Sequence, residues 1–224
     1  TLSLHDALPI SPTADHDRLV EVPRTEVHDL ARTLAHESRP LADRVEGWLF
    51  EPTRARLDRM AEQARRLAQR LGKGDIEVLI EDHGLRLDPI AYQSFWGSLV
   101  HVLRNAVDHG LPGSGGRLRL ETRPLPDGFE VRLADNGDGI DWEKLRRKAA
   151  AKGVEVKEEQ DLLFVDGLSS RDEVSTTSGR GVGMSAVKTS CEELGGTIEV
   201  RSEAGRGTTF VFRLPGRSEA RFAA

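Results

Sequence analysis

The strand-like run FEVRLA, residues 129–134, breaks off into DNGDGID. No other stretch constrains the fold as much. It delivers Asp135 at the tip of a strand, and Gly137 and Gly139 just behind it let the backbone fold close to whatever the carboxylate contacts. A carboxylate so placed can accept a hydrogen bond from an exocyclic amine such as that of adenine. DNGDG alone also reads as a turn. As a calcium loop it lacks the bidentate Glu at its twelfth position, where Arg146 stands.

The pattern around this strand is α+β. Residues 25–50 are charged and amphipathic, with Val27, Leu30, Leu34, Leu41, Val45, Trp48 and Leu49 mostly three or four apart and a gap between Leu34 and Leu41. Pro52 marks a break, and LDRMAEQARRLAQRLGKG reads as a second helix ending at Gly72 and Gly74. IEVLI and LRL alternate around EDHG as a hairpin. Asp88 and Pro89 read as the cap and first turn of a helix running to Gly110. RLRLET joins FEVRLA through PDG, helices follow at about 141–151 and 182–194, and GTIEVRS with TTFVFRL closes the chain as a hairpin. The expected architecture is a two-layer α/β sandwich with an N-terminal helical extension.

Two further stretches carry chemistry. In LVHVLRNAVDHG, a 100° step per residue gathers His101, Asn105, Asp108 and His109 on one side, opposite Leu99, Val102, Leu103 and Ala106. Such a face is either solvated or aimed at a ligand. GRGVGM, residues 179–184, opens the helix SAVKTSCEEL, so its backbone N–H groups and the helix N-terminus form an anion site for which phosphate is the natural candidate; a structural glycine cluster is the alternative. The spacing fits neither a dinucleotide fingerprint nor a Walker A loop.

In order, these are an Asn-bearing helix, a strand ending in DxGxG, a polar segment, and GxGxG before a helix. The order resembles the Bergerat-type ATP-binding fold shared by gyrase, heat-shock chaperone, histidine kinase and MutL proteins. HVLRNAVDHG, LFVDGLSSRDEVSTTSGRGVGMSAVK and LGGTIEVRSEAGRGTTFVFRLP are similar to the kinase domain of chemotaxis-type, CheA-like histidine kinases over about residues 51–215. The resemblance implies ATP and Mg²⁺ as cofactors. Asn105 corresponds to the Mg²⁺ ligand that joins the metal to the phosphates, with His101, Asp108 and His109 around the polyphosphate. Asp135 matches the adenine-binding carboxylate, supported by Thr208 through a hydrogen bond or a water, and Gly137, Gly139 and Ile140 shape the adenine pocket. Residues 164–180 correspond to the ATP lid, expected to order with the γ-phosphate. Ser178, Gly179, Arg180, Gly181, Val182, Gly183 and Met184 correspond to the phosphate-side loop. Arg180 is either a neutraliser of the transferred phosphoryl group or a solvated lid charge.

Gyrase-like ATPases carry a water-activating Glu one helical turn before the Mg²⁺-binding Asn. Here that position is His101, and Gly97 and Ser98 supply no carboxylate. The implied activity is therefore phosphoryl transfer to a protein histidine, the catalytic residues being His101, Asn105 and Arg180. The alternative is a nucleotide-sensing module of the same fold without phosphoryl transfer. His36 in LAHESRPLADRV stands near a Pro in the manner of a sensor-kinase acceptor, but Pro40 comes one residue too early, and the chemotaxis branch keeps its acceptor on a separate histidine phosphotransfer domain. That domain and a response regulator are the implied partners. Residues 13–50 occupy the place of the family's dimerisation hairpin and are a candidate homodimer contact. Residues 1–12, which begin without Met, read as a non-native leader, and 216–224 as a tail.

Composition narrows the partners. With 32 Lys and Arg against 37 Asp and Glu, the net charge of −5 gives no reason to expect nucleic acid or an anionic membrane. No apolar run approaches the roughly 20 residues that span a bilayer. The single cysteine, Cys191, excludes an internal disulfide and points to the cytoplasm, with a small buried hydrophobe as its role.

Overall fold

The structure is a computed structural model that describes residues 2–3, 21–111, 115–168, 183–216 and 220–222. Strand β1 (Leu2–Ser3) pairs antiparallel with β2 (Glu21–Val22). Helices α1 (Arg24–Ala35) and α2 (Arg39–Gly47) follow, then β3 (Glu51–Pro52), α3 (Thr53–Arg70), β4 (Glu77–Asp82), β5 (Leu85–Leu87) and α4 (Gln93–Asn105). A π turn (Ala106–Gly110) leads to β6 (Arg117–Leu125), β7 (Gly128–Asp135) and α5 (Trp142–Ala151). A 3-10 turn (Glu159–Phe164), α6 (Met184–Glu193), β8 (Thr197–Glu203), β9 (Gly207–Pro215) and β10 (Ala220–Phe222) complete the order.

The main sheet runs β4-β6-β7-β9-β8, antiparallel except for the parallel β4–β6 pair. Strict alternation decides which face is covered. Phe129, Val131 and Leu133 of β7 and Phe210, Phe212 and Leu214 of β9 are buried in one core with Leu57, Ala61 and Ala64 of α3, Phe95, Leu99 and Leu103 of α4, and Val187 and Cys191 of α6. The alanines of α3 let that helix lie close, and Phe95 meets Phe212 edge-on with centroids 5.5 Å apart.

The other face carries a lattice of charge. Glu130, 1% exposed, is ringed by Arg123, Arg132 and Arg213, with the Nε of Arg123 and of Arg213 at 3.0 and 3.1 Å from its carboxylate. Arg119 bridges Glu81 and Glu121 farther along. Val211 is fully buried on this face although its cross-strand neighbours are Arg132 and Glu199.

Three sequence expectations need correction. EDHG does not close a hairpin: β4 joins the main sheet beside β6, while β5 lies between β3 and β10 in a separate three-stranded sheet. Asp82, at the end of β4, accepts from the Thr53 and Thr122 hydroxyls at 2.6 and 2.9 Å, and Gly84, at φ 74°, turns the chain out of the sheet plane. Asp88 does not cap α4 directly. Its carboxylate accepts from the amides of Ile90 and Ala91 at 2.8 and 3.3 Å and pairs with Arg24, so it closes a turn, and the helix starts at Gln93. Residues 25–50 form two helices rather than one. The chain breaks in the gap between Leu34 and Leu41, and Val27, Ala31, Val45, Leu49 and Phe50 form a small core of their own.

Candidate functional site

The site is built where β7 runs into the end of the α4 helix. Asp135 is 9% exposed, and its Oδ1 accepts from the backbone N–H of Gly137 at 2.9 Å and of Thr208 at 3.3 Å. Among the described residues Oδ2 has no hydrogen-bond partner. A buried carboxylate with one oxygen fixed and one open presents a single directed acceptor. Burial holds its pKa above the ordinary Asp range against the opposing pull of the Gly137 and Thr208 hydrogen bonds.

A collar of glycines makes this approach possible. A Cβ on Gly110 would lie 2.8 Å from Asp135 Cγ, one on Gly137 would overlap the Gly110 carbonyl, and one on Gly207 would overlap the Asp135 carbonyl. Gly139 sits at φ 78°, where a Cβ would stand 2.5 Å from the Glu203 carbonyl oxygen. Asp138 N–H donates to Gly110 O at 3.1 Å, which fastens the DNGDG loop to the end of the helix. Asn136 ties the same loop to β6, its Oδ1 accepting from Arg117 N–H at 2.6 Å.

The α4 helix does not continue regularly to Gly110. After Asn105 it widens into the π turn, closed by Leu111 N–H donating to Ala106 O at 2.7 Å, and Lys73 Nζ donates to Leu111 O at 2.5 Å. The 100° wheel therefore holds through Asn105 and fails beyond it. On the regular part His101 is half-buried and Asn105 exposed, opposite buried Leu99, Val102 and Leu103. Asp108 is half-buried in the π turn, and His109 has its backbone there. His101 also borders an open cavity of about 550 Å³ between α4 and α6 that includes Asp166, a carboxylate the sequence did not single out. Ser185 Oγ donates to Asp166 at 2.6 Å.

Gly183 stands immediately before α6, and Met184 is its first residue, packed against the main core. Ser178, Gly179, Arg180, Gly181 and Val182, and the lid expected over 164–180 from residue 169 onward, lie outside the described residues. Ile140 N–H donates to Ser202 Oγ at 2.7 Å, and Thr208 meets Asp135 through its backbone N–H rather than its hydroxyl, which faces Ser202 Oγ at 3.1 Å. Sequence reasoning missed Gly110, Gly207, Asn136 and Ser202. All four lie in the stretches DNGDG, HVLRNAVDHG and LGGTIEVRSEAGRGTTFVFRLP, but nothing local to them points to a role.

The donor set fits a nucleotide. Asp135 Oδ2 can take an amine hydrogen. No cluster of three or more His, Cys, Asp or Glu that could hold a metal occurs among the described residues, and Asn105 is exposed at the end of the regular helix.

Residues 97–218 match the model of the histidine kinase-, DNA gyrase B-, and HSP90-like ATPase family, and the chain belongs to that family. Within it the chain is similar to chemotaxis-type kinases. It is 34% identical to a gliding motility regulatory protein of Myxococcus xanthus over 84% of this chain and 26% of that protein, and 34% identical to a chemotaxis protein CheA of Halobacterium salinarum over 78% and 29%. It thus spans little more than a quarter of the length of these curated relatives. In fold it is similar to a mycobacterial sensor histidine kinase MprB, with TM-score 0.50 and 24% identity over 75% of this chain and 98% of that one. It is likewise similar to full-length ShkA in complex with AMPPNP, with TM-score 0.51 and 20% identity over 90% and 44%. No helix among the described residues is long and apolar enough to cross a membrane.

Proposed function

We propose that this chain is the catalytic core of a chemotaxis-type histidine kinase, which transfers the γ-phosphoryl group of ATP to a histidine on a separate phosphotransfer domain that in turn serves a response regulator. The observation that carries the reading is the pairing of a buried, half-open Asp135 carboxylate with a helix that offers His101 one turn before Asn105, and Gly97 and Ser98 two turns before it, in place of a water-activating carboxylate. Asp135 Oδ2 takes the adenine amine, the glycine collar admits the base edge, and His101 and Asn105 flank the polyphosphate. Mg²⁺, held by Asn105 together with phosphate and water oxygens, would neutralise phosphate charge. With no carboxylate in that turn to polarise water, the γ-phosphoryl group is kept for a protein nucleophile.

In this reading residues 51–215 are the ATP-binding unit and 13–50 a partial dimerisation segment through which two copies pair, in the cytoplasm. Incubation with γ-labelled Mg-ATP and candidate phosphotransfer domains should label a histidine on the acceptor, and Asn105→Asp should abolish the labelling. Nucleotide binding with no labelled acceptor in any pairing would leave a nucleotide-sensing module instead.

A further inference from the structure

Across β7, β9 and β8 the helix-facing side of the main sheet is apolar rung by rung until its last rung. Val131, Phe212 and Ile198 lie across β7, β9 and β8, followed by Leu133, Phe210 and Val200. Two residues farther along each strand the row becomes Asp135, Thr208 and Ser202, which alternation keeps on the same face. Ser202 pairs directly with Thr208 across the β8–β9 ladder, and Thr208 gives its backbone N–H to Asp135. Three polar side chains therefore adjoin at the end of the sheet that carries the site.

Ser202 is the hub of this rung. Its oxygen accepts from Ile140 N–H at 2.7 Å, and its single proton has two acceptors within reach, Thr208 Oγ1 at 3.1 Å and Gly207 O at 3.3 Å. A hydroxyl that donates to Thr208 leaves the Thr208 proton to point elsewhere; one that donates to Gly207 leaves Thr208 to donate back and to present only lone pairs. The choice made at Ser202 fixes whether Thr208 is a donor or an acceptor. Thr208 is buried, so it has little water with which to reorient.

We propose that Ser202 is a specificity-determining residue of the nucleotide site, holding Thr208 as a hydrogen-bond donor beside Asp135 and thereby selecting adenine over 6-oxopurines. This rests on the reading that Asp135 receives the adenine amine. Adenine offers an amine donor next to a ring-nitrogen acceptor, which complements an acceptor carboxylate next to a donor hydroxyl. Hypoxanthine reverses both positions and meets two mismatches. Ser202 touches neither atom pair itself; it acts through Thr208 and through the Ile140 amide.

The test is a calorimetric comparison of ATP and ITP binding to wild type, Ser202→Ala, Thr208→Val and the double variant, with thermal melting of each. Ser202→Ala should weaken ATP binding about tenfold, with ITP binding changed less than about twofold, so that the ATP-to-ITP ratio collapses. Thr208→Val should reproduce that loss, and the double variant should add little to it, since both remove one coupled device. An unchanged ratio in Ser202→Ala, or an equal loss for both nucleotides together with a lowered Tm, would overturn the proposal and leave Ser202 a structural residue. A wild-type chain that does not distinguish ATP from ITP would instead overturn the adenine reading beneath it.

Discussion

Replacing Gly110 by Ala tests the glycine collar where it is tightest. The added Cβ would lie 2.8 Å from both Cγ and Oδ1 of Asp135 and 3.0 Å from Oδ2. Ordinary carbon contacts are about 3.5 to 4.0 Å, so the methyl is roughly 0.5 to 1 Å too close. Neither side yields freely. The carboxylate can swing away only by leaving the Gly137 and Thr208 amides, hydrogen bonds to a charged group worth about 1.5 to 3 kcal/mol each. The helix end is held by Asp138 N–H on Gly110 O and by the close approach of Gly137. Overpacking of this kind destabilises by about 1 to 3 kcal/mol, and a displaced Asp135 should weaken ATP binding at least about tenfold. Gly97 is the internal control, exposed in the same helix with nothing within 4 Å of its Cβ position. Gly97→Ala should stabilise by about 0.5 to 1 kcal/mol and leave ATP affinity within about twofold. Urea denaturation and calorimetric titration read both quantities. A Gly110→Ala protein that binds ATP as tightly as wild type would refute the geometry argued for Asp135.

Three other outcomes follow from the same structure. Because burial raises the Asp135 pKa, its contribution to the stability of the unliganded fold is present below the ordinary Asp value of about 3.9 and is lost as pH rises through the raised folded value. Adenine requires the ionised form, so ATP affinity should fall as pH drops through that raised value, with protons released on binding. Asp135→Asn should bind about ten- to a hundredfold more weakly at neutral pH and lose this pH dependence, both measured by calorimetry in buffers of different ionisation enthalpy. Burial, with a smaller push from Glu192, drives the Cys191 thiol up to about 12, so it should resist thiol reagents at neutral pH until urea unfolds the chain. Glu130→Ala leaves three arginines without their shared buried partner and should cost about 3 to 5 kcal/mol in chemical denaturation, whereas the exposed Glu62→Ala should change stability by less than about 0.5 kcal/mol.

What could be read in the sequence was what local pattern determines. Alternation in FEVRLA and TTFVFRL and the polar face from His101 to Asn105 are properties of single elements, and the structure builds those elements at those positions. What could not be read depended on distant partners. EDHG reads as a hairpin turn because its flanks alternate, but Asp82 is claimed by two threonines 29 and 40 residues away, and β4 is drawn to β6. Asp88 and Pro89 form a sound helix start in isolation, yet Arg24, 64 residues upstream, engages the carboxylate. The π turn escaped the wheel because a helical wheel assumes a constant rotation per residue, and the i→i+5 bond from Leu111 to Ala106 puts more residues into the turn. Gly110 looked like a helix terminus, and its proximity to Asp135 exists only once β7 packs beside the turn. Ser202 carries no local signature at all; its place in the polar rung comes from the β8–β9 register.

In the proposed reading the γ-phosphoryl group is reserved for a protein acceptor, because the helix turn before Asn105 holds no carboxylate to activate water. The most direct measurement is the fate of that group, followed by quenched-flow counting of acid-labile phosphohistidine and of free phosphate from γ-labelled Mg-ATP, with and without a cognate phosphotransfer domain. The expected result is stoichiometric label on the acceptor histidine, and without the acceptor phosphate release slower by at least about a hundredfold. Phosphate release at the same rate with or without the acceptor, and no label on any histidine, would contradict it and make the chain a hydrolase.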